Sequence, residues 1–235
     1  MKYKKTFWCL VLTLFYFFFR FVIEGKTEAK SYYTITSYTS NGHGYLYLVS
    51  IATFNCFVFL LFINSFVERF STQLLVRMTR RALFLKNEII TAICTLLYSV
   101  CFLLPHLIFY FIYYGLEMMN EIQFFYVLIC QFVTLFLYYF MIANFYLLFY
   151  YKSFKLFISI IISFALSSIF VFANMILNIY TPIAAVAAFS DYYDGNASLI
   201  SIYGKSFSVL IPVIILFSLL NFFEIKNKDI ISYER

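Results

Sequence analysis

The chain has 235 residues, 64% hydrophobic, 24% aromatic and only 12% charged, with a formal net charge of +6. Soluble domains run at about 45–50% apolar and about 25% charged, and a chain of this length buries only about 70–75% of its surface on folding. These proportions exclude a soluble enzyme, a nucleic-acid-binding domain and a disordered regulator, and they make lipid the solvent for most of the chain.

A helix rises about 1.5 Å per residue, so about 20 apolar residues cross a hydrocarbon core about 30 Å thick. By that measure the sequence predicts an all-α, polytopic membrane protein, a single transmembrane domain over 1–235 with six helices. The first covers 6–23. It follows the basic string MKYKK, is long for a signal peptide and lacks a clean small-x-small cleavage site, so it is expected to stay on the chain. Arg20, near its end, is expected to snorkel toward the outer surface or to pair with Glu24 one turn on. The second span covers 45–67, the third 89–114 with Pro105 inside it, and the fourth 123–150 without a single charge. The fifth covers 156–180 and the sixth 206–223, with Pro212 inside. Interior prolines are tolerated in lipid because neighbouring helices re-satisfy the freed carbonyl. Cys9, Cys56, Cys94, Cys101 and Cys130 all fall in apolar runs with no metal-binding spacing, so they read as small packing residues.

Basic residues set orientation, being retained on the cytoplasmic side. Six spans with the N-terminus inside put thirteen Lys and Arg with five acids on the inner face, against four Lys and Arg with six acids outside. Both termini are therefore expected in the cytoplasm, with the inner face drawn to anionic lipid. The abundance of Phe, Tyr and Ile is consistent with an AT-rich bacterial genome and the bacterial cell membrane.

Two strings imitate the end of a phosphate-binding loop, Gly25-Lys26-Thr27 and Gly204-Lys205-Ser206. A true loop needs a glycine five positions before the second glycine, to turn backbone N–H groups around the phosphates; those positions hold Arg20 and Leu199. There is no HExxH and no GxSxG, so no catalytic residue and no metal ligand is assigned. His106, beside Pro105, is the one histidine within a span. Intramembrane ionisable groups point to function, but a histidine there also suits a freed carbonyl.

Uncharged polar residues dot the spans. Asn55, Gln131, Asn144, Asn174 and Asn178 are the candidates for lining a pathway; the competing reading is interhelix hydrogen bonding. The most structured hydrophilic stretch joins spans two and three. It has no Pro or Gly, and Ser71 or Thr72 suits a helix start. Over about 71–86, Leu74, Leu75 and Met78 fall on one stripe and Arg77, Arg80 and Arg81 on the adjacent face, the pattern of an amphipathic helix at a membrane surface.

Six spans in this length, both termini inside, and the basic string Arg77-x-x-Arg80-Arg81 ahead of span three resemble the permease subunit of an ABC-2-type ABC transporter, of the small Gram-positive kind associated with bacteriocin or antimicrobial-peptide export and immunity. In that family an outer hairpin commonly joins the last two spans. The small-residue run Pro182–Phe189 within 181–204 suits one. The usual amphipathic helix before span one is missing, since only five residues precede it. The resemblance implies ABC ATPase subunits as partners, carrying the ATP and magnesium that this chain does not, and a second permease copy or paralogue. Leu74, Leu75 and Met78 would pack into an ATPase groove, while Arg77, Arg80 and Arg81 meet acidic groups or lipid phosphates. The alternatives are the substrate-binding membrane subunit of an energy-coupling importer, and a non-transporting immunity or sensor protein.

Overall fold

The computed structural model describes residues 2–25, 48–67, 79–121, 123–153, 155–177, 179–187 and 198–227. All regular structure among them is helical, and no strand occurs among the described residues. In chain order the elements are α1 (Lys2–Gly25), α2 (Leu48–Ser50), a π-helical turn (Ile51–Asn55), α3 (Cys56–Asn64), α4 (Arg80–Glu121), α5 (Phe124–Ser153), α6 (Leu156–Leu177), the short α7 (Ala184–Ala187) and α8 (Leu199–Asn227). Within α4–α6 and α8, four segments are long and apolar enough to cross a membrane: Arg80–Ile112, Phe124–Ser153, Leu156–Leu177 and Leu199–Asn227. Two more apolar stretches, Trp8–Arg20 and Leu48–Asn64, are shorter. Helices suit such sequences because lipid offers no partner to an unpaired backbone group.

Two-residue links join α4 to α5 and α5 to α6, so each pair packs antiparallel. Gln123, in the first link, takes a positive φ of 53°. Long-range bonds give the remaining directions. Ile51 meets Tyr139 and Asn64 meets Tyr146, so the α2–α3 rod runs parallel to α5. Asn144 meets Asn221, while Arg80 at the start of α4 meets Lys226 at the end of α8. α5 lies at the centre, packed against α4, α6 and α8. Its inner face is filled by Leu135, Tyr138, Tyr139, Ile142, Phe145 and Tyr146, all buried. The outer faces present large apolar side chains such as Ile112, Phe157, Ile176 and Ile215. So broad an apolar exterior is an aggregation hazard in water and the expected surface in lipid.

Several boundaries differ from expectation. Helix α4 begins at Arg80, nine residues before the predicted third span, because Arg80–Glu88 contains no Gly or Pro and the helix runs on through its charges. At the far end Gly115 interrupts α4 with φ 70° and ψ 171°, a backbone that favours glycine. Helix α8 begins at Leu199, so the last six residues of the predicted outer hairpin 181–204 belong to the final long helix; of the remainder, Ala184–Ala187 is a short helix. Of the predicted coupling helix 71–86, Arg80–Lys86 forms the first turns of α4, and Leu74, Leu75, Arg77 and Met78 lie outside the described residues. Arg20 does not snorkel: it is 7% exposed. Thr13, Phe17 and Arg20 recur at i, i+4 and i+7, which is the stripe of α1 that faces the core.

Candidate functional site

The second rod changes its hydrogen-bond pattern part-way along. Residues Ile51–Asn55 wind as a π-helix between α2 and α3. A π-turn widens the i→i+4 ladder and leaves carbonyls in need of other donors. Side chains from neighbouring helices supply them. The hydroxyl of Tyr98 on α4 donates to the Asn55 carbonyl at 2.6 Å, that of Tyr139 on α5 to the Ile51 carbonyl at 3.2 Å, and Ser167 Oγ on α6 to the Ala52 carbonyl at 2.8 Å. Ser167 has one hydroxyl hydrogen, and that bond uses it. Tyr138 OH, 2.7 Å from Ser167 Oγ, is therefore the donor of their shared bond. From α1, Tyr16 OH donates to Asn55 Oδ1 at 3.1 Å. Four helices thus grip one irregular turn through hydroxyl groups.

Aromatic rings seal these bonds from water. Tyr98, Tyr138, Tyr139, Phe17 and Phe59 are fully buried. Phe59 lies 4.7 Å from Tyr139, and Tyr98 meets both Tyr139 (5.1 Å) and Phe17 (5.2 Å) edge-on. Each such pair adds about 0.5–1.5 kcal/mol beyond its area burial.

A second polar tier lies toward the end of the bundle that holds the start of α4 and the end of α8. Asn221 Nδ2 reaches both the carbonyl oxygen (3.2 Å) and Oδ1 (3.1 Å) of Asn144. Asn144 Nδ2 in turn donates to the Phe140 carbonyl at 3.0 Å. Glu88 stands near Asn221 and Ser218, and Asn87 Nδ2 donates to Tyr151 OH at 3.2 Å. Beyond this tier, Arg80 Nη1 donates to the Lys226 carbonyl at 2.9 Å, and Phe84 meets Phe222 edge-on at 5.5 Å. Arg80, Arg81, Phe222, Ile225 and Lys226 line a cavity of about 300 Å³ there. A second cavity, about 200 Å³, is an apolar crevice between α4 and α5 lined by residues such as Leu103, Leu107 and Phe132.

The five candidate pathway residues separate in this arrangement. Asn55, Gln131 and Asn144 are buried, and Asn55 and Asn144 tie helices together. Asn174 closes the end of α6, donating to the Ile179 carbonyl at 3.0 Å. Asn178 lies outside the described residues. Neither of these two cavities is lined by any of them. His106 is buried against the rings of Tyr110 (4.5 Å) and Phe124 (5.7 Å), away from the π-turn tier. All five cysteines are free thiols. Of the docking candidates, Arg80 and Arg81 sit together at the start of α4.

The phenol groups that grip the π-turn are absent from the sequence candidates, as are Ser167, Asn221 and Asn87. The tyrosine doublet at 138–139, inside a charge-free span, is the signal that marks them, since a phenol in lipid needs a partner. No family model, no curated protein and no solved structure matches the chain.

Proposed function

We propose that the chain is the membrane permease subunit of an ATP-driven ABC exporter, similar to the ABC-2 type, that moves a peptide or other amphipathic cargo across a bacterial cell membrane. In this reading all six rods cross, the two shorter apolar stretches included, with both termini at the basic end. That end carries Arg80, Arg81, Lys86, Lys152, Lys155 and Lys226, which is the asymmetry that keeps a membrane face in the cytoplasm.

The observation that carries the proposal is the continuity of α4. Its cationic first turns are one helix with a membrane-length segment, and Arg80 is bonded to the end of α8. A force that reaches Arg80 passes into two spans, through α4 and through the bond to α8. Leu74, Leu75 and Met78 are assigned to the ATPase groove, and Arg77, Arg80 and Arg81 to its acidic groups or to lipid phosphates, with Arg80 also tied to the end of α8. The π-turn supplies the compliant point: its carbonyls are held by side chains that can exchange partners, whereas an intact α-helical ladder cannot. Two copies, or one copy and a paralogue, would enclose the pathway between them.

The test is co-purification with an ABC ATPase subunit from the native host. Wild-type chain is expected to retain the ATPase, and Leu74→Asp combined with Met78→Asp to lose both the ATPase and export. An ATPase that stays bound to the double variant, or that never binds the wild type, overturns the assignment.

A further inference from the structure

The ends of two membrane-length helices meet at Arg80 and Lys226, and they do not close on one another. The cavity of about 300 Å³ between them is lined by Arg80, Arg81, Lys226, Phe222 and Ile225, and its wall is almost wholly apolar, so the carbon stems of the three cations face it rather than their charged groups. Glu88 and Glu224 are the nearest acids along the two helices, and neither lines it. Ile225 is buried, and Phe222 is braced by the ring of Phe84, so the apolar side is firm. The Arg80 bond to the Lys226 carbonyl uses one of the five N–H donors of its guanidinium. Arg81 and Lys226 are exposed, so their charged groups stand outside the cavity while their stems wall it.

We propose that this cavity seats the glycerol and first methylenes of an anionic phospholipid, whose phosphate is met by the charged groups of Arg80, Arg81 and Lys226 outside it. Arginine suits phosphate because its planar fork of donors matches the oxygens in pairs. A free phosphate would satisfy the cations and leave Phe222 and Ile225 without a role. A phospholipid satisfies both: the phosphate takes the cations and the glycerol and first methylenes take the apolar side. The level also fits. Lys226 lies three residues past the apolar run 206–223 and Arg80 is bonded to it, which is the level of the headgroup layer, and basic pockets between helices at that layer hold anionic lipid. The proposal does not involve an ATPase, so loss of docking and loss of lipid preference are separable results.

Native mass spectrometry of the full chain, titrated with phosphatidylglycerol or phosphatidylcholine, tests it. Phosphatidylglycerol is expected to bind preferentially. Arg81→Gln, which leaves the Arg80–Lys226 bond in place, is expected to weaken it roughly fivefold, and the Arg80→Gln/Arg81→Gln/Lys226→Gln triple by about tenfold or more. Lys152→Gln with Lys155→Gln, at the same end but outside the cavity, is expected to keep the preference, and millimolar inorganic phosphate is expected not to displace the lipid. Equal binding of the two lipids overturns the proposal. So does an equal loss in the Lys152/Lys155 pair, which would mean diffuse surface charge. Displacement by inorganic phosphate overturns the lipid assignment in favour of a free anion.

Discussion

Tyr98 on α4 donates its hydroxyl hydrogen to the backbone carbonyl of Asn55 at 2.6 Å, across 43 positions of sequence. Both residues are fully buried, so the bond replaces water that is not there. Tyr98→Phe keeps the ring contacts with Phe17, Phe59 and Tyr139 and removes only the donor. It is expected to cost about 1–3 kcal/mol, the penalty of a buried acceptor left unpaired. Thermal unfolding of the purified protein in a fixed detergent measures it. Tyr126→Phe, on an exposed side chain, is expected to shift stability by less than about 0.5 kcal/mol.

Ser167 and Tyr138 form a relay rather than two independent ties. Tyr138 donates to Ser167, and Ser167 donates to the Ala52 carbonyl. Ser167→Ala therefore strands a phenol and a carbonyl together, whereas Tyr138→Phe strands neither. The serine variant is expected to be the more destabilised of the two. The double variant is expected to fall short of the sum by about 0.5–3 kcal/mol, the range for groups in one network. Strict additivity in a double-mutant cycle would dissolve the relay.

What the sequence made legible follows from the signal each feature leaves. A span leaves a run of apolar residues, and every predicted span coincides with described helix over most of its length. Helix ends leave no such mark where charge and helix overlap. Arg80–Glu88 is charged, so hydropathy stops at 89, yet nothing in it breaks a helix and α4 continues. Asn55 and Asn144 stood out as polar residues in apolar runs. Asn221 lies two residues from the predicted end of span six, where a polar side chain passes for a boundary. The π-turn left nothing to read. Ile51–Asn55 contains no residue that specifies it, and the donors that stabilise it lie far away in sequence, at Tyr98, Tyr139 and Ser167.

Two glycines in helices predict opposite signs. Gly115 has φ +70°, where an L side chain is strained even though open space surrounds it. Gly115→Ala is expected to destabilise by about 1–2 kcal/mol, or to straighten the break in α4. Gly204, in α8, also has open space, without a left-handed φ. Gly204→Ala is expected to be neutral or to stabilise by up to about 1 kcal/mol through helix propensity. The same unfolding measurement checks both.

Orientation has its own test at two lysines. Lys155 opens α6 at the end of the bundle that holds Arg80 and Lys226. Lys205 lies near the start of α8 at the opposite end, its Nζ 4.2 Å from the centre of the Tyr180 ring. Four of the five native thiols are buried and Cys9 is half-buried, so background labelling stays low. With the basic end in the cytoplasm, Lys205→Cys is expected to react with a membrane-impermeant maleimide in intact cells. Lys155→Cys is expected to react only after the cells are opened. The reverse pattern would put the Arg80–Lys226 cavity on the outer face, beyond reach of any cytoplasmic ATPase. Labelling of both positions in intact cells would mean that the α5–α6 turn and the start of α8 share one side, which breaks the crossing pattern on which the permease proposal rests.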